Sequence, residues 1–168
     1  NGLKVQLPIK PGDFHVFLQK TKDIFKRFPV LPVLVGTNEI VQPIKYVFRS
    51  EKFAIREYEG YYARGKSTAV QGNVPYEIKT EVLMEDLDEV ERKILENSTF
   101  DFFFELGQLN IAASREALHY DDNTKKNIIA HIKEVKARIK AEFENQIATA
   151  ETLWKAKQIA LFTQPGED

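Results

Sequence analysis

Cysteine is absent from the 168 residues, which excludes disulfide bridges, thiolate metal sites and cysteine nucleophiles. No apolar run approaches the roughly 20 residues of a membrane-spanning helix, and no charged-then-apolar leader opens the chain. Neither charge dominates: 24 basic and 25 acidic residues give a net charge of -1, so no global attraction to nucleic acid or to an anionic surface is expected. Methionine occurs once, at Met84, and a strand-like alternation starts almost at Asn1, so the sequence reads as a piece of a larger protein. What is present, 43% hydrophobic residues, suffices for one core and not comfortably for two. A single domain over 1–168 is expected, its globular part at about 1–146 and residues 147–168 prolonging the last helix.

The periodicities predict a mixed α/β (α+β) domain. After an opening strand over Leu3–Pro8, Pro11 and Asp13 suit a helix start, and Phe14, Phe17, Leu18, Thr21, Ile24, Phe25 and Phe28 share one face by which the helix packs. Val30–Val35 reads as an extended connection. Ile40–Phe48 alternates as a strand with Pro43 at an edge or bulge, and Phe53–Tyr58 follows as its antiparallel neighbour. Lys66–Gln71 and Val74–Val82 make two strands around a Gly72-Asn73 turn. Leu83, Leu87, Val90 and Ile94 then fall on one face of an acidic helix ended by Asn97-Ser98. Three adjacent phenylalanines in Phe100–Leu106 place that strand centrally, buried on both faces. From Thr124 to about Phe162 the stripe Ile128, Ile132, Val135, Ile139, Phe143, Ile147, Ala150, Trp154, Leu161 predicts one long helix, capped by Asp121 or Asp122. Its first half should cover the sheet and its second half should outrun it.

Several motifs invite chemistry and are better read as structure. Gly60-Tyr61-Tyr62-Ala63-Arg64-Gly65-Lys66-Ser67 matches the phosphate-binding P-loop pattern, but Thr68–Pro75 is β-branched and broken by glycine and proline where that loop needs a helix. A hairpin with a solvated Lys66 is the expectation. His15, His119 and His131 show no metal-ligand spacing, and Ser114 has no visible base, so capping outweighs nucleophilic catalysis. The acids Glu85-Asp86 and Asp88-Glu89 read as a solvated helix face, and Tyr61, Tyr62 and Tyr76 as sheet or rim residues.

One stretch stands apart. In Leu109-Asn110-Ile111-Ala112-Ala113-Ser114-Arg115-Glu116-Ala117-Leu118 a strand-like run turns at Ser114, a good N-cap, into an apparent short helix. Arg115 then falls in its first turn, beside free N–H groups and the positive end of the dipole. A cation is mildly unfavourable there, and becomes favourable when a phosphate or carboxylate arrives. The alternative is a surface arginine paired with Glu116 or a distant acid.

The segment Gly107–Leu118, continued by Tyr120–Ile128, resembles the rIIA lysis-inhibition proteins of T-even-type bacteriophages. More distantly, it is similar to the catalytic loop of the large heat-shock chaperone's middle domain, which carries a similar Leu-Asn-x-x-Ser-Arg-Glu run, although Ala113 stands where rIIA relatives carry proline. Gly72–Ile78 resembles a second rIIA landmark. Both groups belong to the GHKL ATPases. The resemblance implies a transducer or middle domain, a ribosomal-protein-type β-α-β sheet with helices packed on it. It implies ATP and Mg held by an N-terminal domain of the same polypeptide, with Arg115 as the γ-phosphate contact. Asn110 and the loop through Ser114 would set its reach, and Gln108 and Glu116 would orient it. It further implies a role in lysis inhibition, cooperation with the rIIB protein, a possible homodimer, and a place in the host cytoplasm or at the periphery of the host inner membrane. Two rival readings are a structural module associating through the C-terminal helix and a P-loop NTPase using Gly60–Ser67.

Overall fold

A computed structural model describes residues 3–57 and 66–148 of the chain. A short 3-10 turn, Pro11–Asp13, leads into α1 (Phe14–Phe25). Strands β1 (Tyr46–Arg49), β2 (Phe53–Arg56), β3 (Thr68–Gln71) and β4 (Val74–Glu77) follow, then 3-10 turns at Thr80–Val82 and Met84–Asp86, α2 (Glu89–Asn97), β5 (Phe100–Phe104) and α3 (Asp122–Ala148). The five strands form one sheet in the order β1-β2-β5-β3-β4, antiparallel except for the β3–β5 pair. The fold is α+β, as the periodicities predict.

The central position of β5 follows from its side chains. Alternate residues of a strand point to opposite faces, so Phe100, Phe102 and Phe104 share one side and Asp101 and Phe103 the other. The three phenylalanines are buried in a core with Phe53, Leu83, Leu87, Leu95, Ile128, Ile132 and Val135, and full burial of each ring contributes roughly 2 kcal/mol. Phe100 and Phe102 stack at 5.3 Å. Helix α3 supplies Ile128, Ile132 and Val135 from its first half, whereas Ile139 is 49% exposed, so cover of the sheet by the apolar stripe ends near Val135, as expected. The helix continues to Ala148, and Ala150, Trp154 and Leu161 of the expected stripe lie outside the described residues.

Several expected elements differ. The strand expected over Val74–Val82 ends at Glu77, and Thr80–Val82 is a 3-10 turn instead. The single acidic helix from Leu83 is two 3-10 turns followed by α2, because Leu87 is extended and Asp88 opens a new helix with a reciprocal capping box to Glu91. Leu83 and Leu87 are buried from the turns, and Val90 faces out. The strand expected over Ile40–Phe48 is reduced to β1: Pro43 has no N–H for a ladder, and the register shifts between Tyr46 and Phe48. The opening strand is not formed among the described residues, where Leu3, Val5 and Leu7 pair with no strand and stand exposed. Helix α1 buries only Leu18 of its expected packing face; Phe14 and Phe17 are each 42% exposed.

Candidate functional site

After β5 the chain reverses through Gly107, whose φ of 90° suits glycine. The Glu105 N–H donates to Gln108 Oε1 at 2.9 Å, and the buried Leu109 donates its N–H to Gln71 Oε1 of β3 at 3.0 Å. Asn110 then makes three attachments. Its N–H donates to Thr124 Oγ1 at 2.9 Å, its carbonyl accepts the His119 N–H at 2.8 Å, and its side-chain amide donates to the Asp121 carboxylate. Ile111 and Leu118 bridge antiparallel, closed further by Ala112 N–H to the Ala117 carbonyl at 2.9 Å. Between them, residues 113–116 form an exposed tip.

Arg115 sits on that tip, exposed, with φ 62°, the only non-glycine residue at positive φ among the described residues. Its N–H donates to the Ala112 carbonyl at 2.8 Å and closes the turn. The short helix expected from Ser114 is therefore not there. A left-handed residue ends helical geometry at once, and the Ile111–Leu118 bridge leaves too few residues for a hydrogen-bonded helix. Ser114 Oγ accepts the Glu116 N–H at 3.4 Å, a local turn contact instead of a helix cap. With no helix, the dipole contributes nothing at Arg115, and attraction for an anion rests on the guanidinium. The alternative pairing with Glu116 or a distant acid is not observed: no ion pair to Arg115 occurs among the described residues. A left-handed Arg is held against a steric cost of about 1–2 kcal/mol.

The five expected site residues thus divide into a stem and a tip. Ser114, Arg115 and Glu116 are exposed together on the tip, whereas Gln108 and Asn110 brace the stem. Asn127 and Asn123 add side-chain donors to the Gln108 carbonyl at 2.7 and 3.4 Å. Asp121 is the cap of α3, accepting the Thr124 N–H at 2.9 Å. That N–H first, then the Thr124 hydroxyl, hold the Asp121 carboxyl below its usual range, with a further contribution from Asn110.

A second polar cluster, not anticipated from the sequence, occupies the other face of the sheet. Asp101 is fully buried and receives Arg27 through both oxygens, Nε at 2.9 Å and Nη2 at 3.1 Å. The Tyr46 hydroxyl donates at 2.8 Å, the Thr68 hydroxyl also donates, and Arg56 Nε lies 3.1 Å away. Burial by itself would raise the Asp101 carboxyl, but the bonds and charge of Arg27, with Thr68 and Arg56, hold it below its ordinary value. Burial, then the adjacent carboxylate, push the Tyr46 hydroxyl well up. The signal was an acid inside a strand expected to be buried on both faces, which requires a cation partner. Arg27, 74 residues away, could not be located from spacing.

Lys66 is exposed and Ser67 is buried at the entry to β3, accepting the Phe100 N–H on Oγ at 3.2 Å. A strand thus follows the P-loop-like letters where phosphate binding needs a helix. Residues 58–65, including Tyr61 and Tyr62, lie outside the described residues. His131 packs against Phe104 at 4.3 Å, while His15 and His119 are exposed. Among the described residues no three His, Asp or Glu side chains converge as a metal site, and no helix is long and apolar enough to cross a membrane. Comparison with protein-family models, curated proteins and solved structures gave no match.

Proposed function

We propose that this chain is the middle, or transducer, domain of a GHKL-type ATPase of the rIIA kind, and that it presents Arg115 to the γ-phosphate of ATP bound with Mg in the N-terminal domain of the same polypeptide. One observation supports this reading above others: an exposed arginine held in a left-handed turn, without an acidic partner among the described residues, on a stem anchored to the sheet and to α3. Backbone strain of this kind is retained where the surroundings over-determine it, and it concentrates at functional sites.

A polyphosphate fits the chemistry of the tip. The guanidinium offers a planar fork of donors and a permanent charge, able to grip a terminal phosphoryl group and to stabilise charge developing on it during transfer. Loss of the γ-phosphate removes the anion and releases the tip. Gln108 and Asn110 act from the stem, setting where the guanidinium can reach, and Glu116 lies beside it on the tip. Nucleotide-gated dimerisation, cooperation with the rIIB protein, a location in the host cytoplasm or at the inner membrane, and a role in lysis inhibition come to this chain through the resemblance.

The test is ATP hydrolysis by the polypeptide that includes the N-terminal domain. Arg115→Ala is expected to lower kcat by about a hundredfold or more, with the circular dichroism of the folded chain unchanged, and Arg115→Lys to recover part of the loss. The 168-residue chain alone should not hydrolyse ATP. Turnover unaffected by Arg115→Ala would overturn the reading, and ATP binding by the isolated chain that is lost on Lys66→Ala would favour the P-loop alternative.

A further inference from the structure

The Arg115 tip is attached to the body of the molecule on two sides. Leu109 joins its stem to Gln71 of β3, and the other attachments converge on the first turns of α3 and its cap, where the loop ends. Asn110 reaches Thr124 and Asp121, and Gln108 is reached by Asn123 and Asn127, so every one of these bonds joins the outgoing arm of the loop to α3. The returning arm joins the same point, since the Asp121 N–H donates to the His119 carbonyl at 3.0 Å and the His119 N–H to the Asn110 carbonyl at 2.8 Å. At the centre lies Thr124, fully buried although polar. Its hydroxyl accepts the Asn110 N–H at 2.9 Å, and its own N–H donates to the Asp121 carboxylate at 2.9 Å. One residue thus satisfies the loop stem and the helix cap together.

We infer that Thr124 is the positioning residue of the Arg115 tip: its buried hydroxyl ties the loop stem to the first turn of α3, so that the tip and the helix move as one body. A valine there keeps the shape and the backbone N–H but removes the hydroxyl, leaving the Asn110 N–H without its acceptor. The tip can then shift without α3, and α3 without the tip. The two exposed ends of the device are well matched to such a role, with Arg115 at one end and a helix whose apolar stripe reaches solvent at Ile139 at the other. Asn110 is the second member, and the Asn110 side-chain bond to Asp121 the third contact. The positioning of the loop stands on these distances alone; its consequence for turnover rests on the ATPase reading proposed above.

Two measurements separate the two levels. In the 168-residue chain, amide hydrogen exchange at Asn110 and His119 should speed by about tenfold on Thr124→Val, the factor expected from the loss of one buried hydrogen bond. Exchange at Ile128 and Ile132 should stay unchanged, and Thr124→Ser should restore protection. Unchanged exchange at Asn110 overturns the inference whatever the protein does with ATP, and loss of protection throughout α3 overturns it in favour of a general fold defect. In the polypeptide with its N-terminal domain, Thr124→Val should lower kcat in the direction of Arg115→Ala while leaving KM for ATP within about twofold, because nucleotide binding belongs to the other domain. If Arg115→Ala abolishes turnover and Thr124→Val loosens the loop yet leaves kcat intact, the positioning role in catalysis is wrong. If Arg115→Ala is itself silent while exchange responds as expected, the ATPase reading fails and the anchoring of the loop stands.

Discussion

Two arginines in this chain show opposite ways of using the same side chain. Arg27 is 5% exposed at its side chain, forked onto the buried Asp101, and its bonding is closed within the molecule. Arg115 stands outside on a turn whose φ of 62° favours glycine, with no ion pair among the described residues. The first region is finished: acid, two cations, a phenol and a hydroxyl meet on one face of the sheet. The second is furnished on its stem and open at its tip. An arginine whose bonds are all internal tells of folding, and one carried outward against a backbone cost is available to an anion supplied from elsewhere.

Breaking the closed region should have the largest effect. Arg27→Ala removes the forked partner of a buried carboxylate and is expected to cost about 3 kcal/mol in urea unfolding. Arg115→Ala, by contrast, should leave the unfolding midpoint unchanged within about 0.5 kcal/mol. Similar losses for the two would erase the distinction between them.

The acid limb of stability sharpens the same contrast. Burial pushes the Asp101 carboxyl up, but Arg27, Thr68 and Arg56 together bring it below its ordinary value. A carboxyl lower in the folded than in the unfolded state adds stability above the unfolded pKa of about 3.9, and that contribution disappears as pH falls through the folded value. Asp101→Asn should therefore be less stable than the parent at pH 7 and should lose less on acidification below about pH 4. Parallel stability curves for the two chains would show that Asp101 contributes no proton linkage. Smaller again is Tyr46→Phe, which deletes one donor to this carboxylate and leaves three others and the Arg56 ion pair in place; about 1.5 kcal/mol is expected.

The sequence made the apolar architecture readable and left the polar attachments hidden, for a physical reason. Burial leaves periodic traces: the phenylalanines of β5 announced a central strand, and Ile128, Ile132 and Val135 announced the covering half of α3. Asp121 as a helix cap was readable because capping is local in sequence. The Arg27–Asp101 pair depends on a contact across 74 positions and leaves no local trace. Periodicity misled where no partner existed to exploit it, as in Leu3–Leu7 and the exposed face of α1. At the candidate site, the identity of Arg115 could be singled out from its neighbours, but its surroundings were misread. Ser114 is equally suited to a helix cap and to a turn, and the Ile111–Leu118 bridge that decides between them is a tertiary feature.

The smallest expected effect is the most discriminating, and it has the unusual sign. Glycine adopts positive φ without the clash that an arginine Cβ creates, a relief of about 1–2 kcal/mol, while its greater freedom in the unfolded chain takes back about 0.5–1 kcal/mol. Arg115→Gly should therefore match or exceed the parent in stability, by about 0.5 kcal/mol in urea unfolding. Arg115→Ala keeps the Cβ and gains nothing. A residue whose replacement by glycine steadies the fold is not retained for the fold, and on the ATPase reading proposed above the same change should lower ATP turnover as is expected of Arg115→Ala. Destabilisation by more than about 1 kcal/mol would instead mean that the guanidinium makes internal contacts of the kind Arg27 makes, and the open arginine would join the closed one.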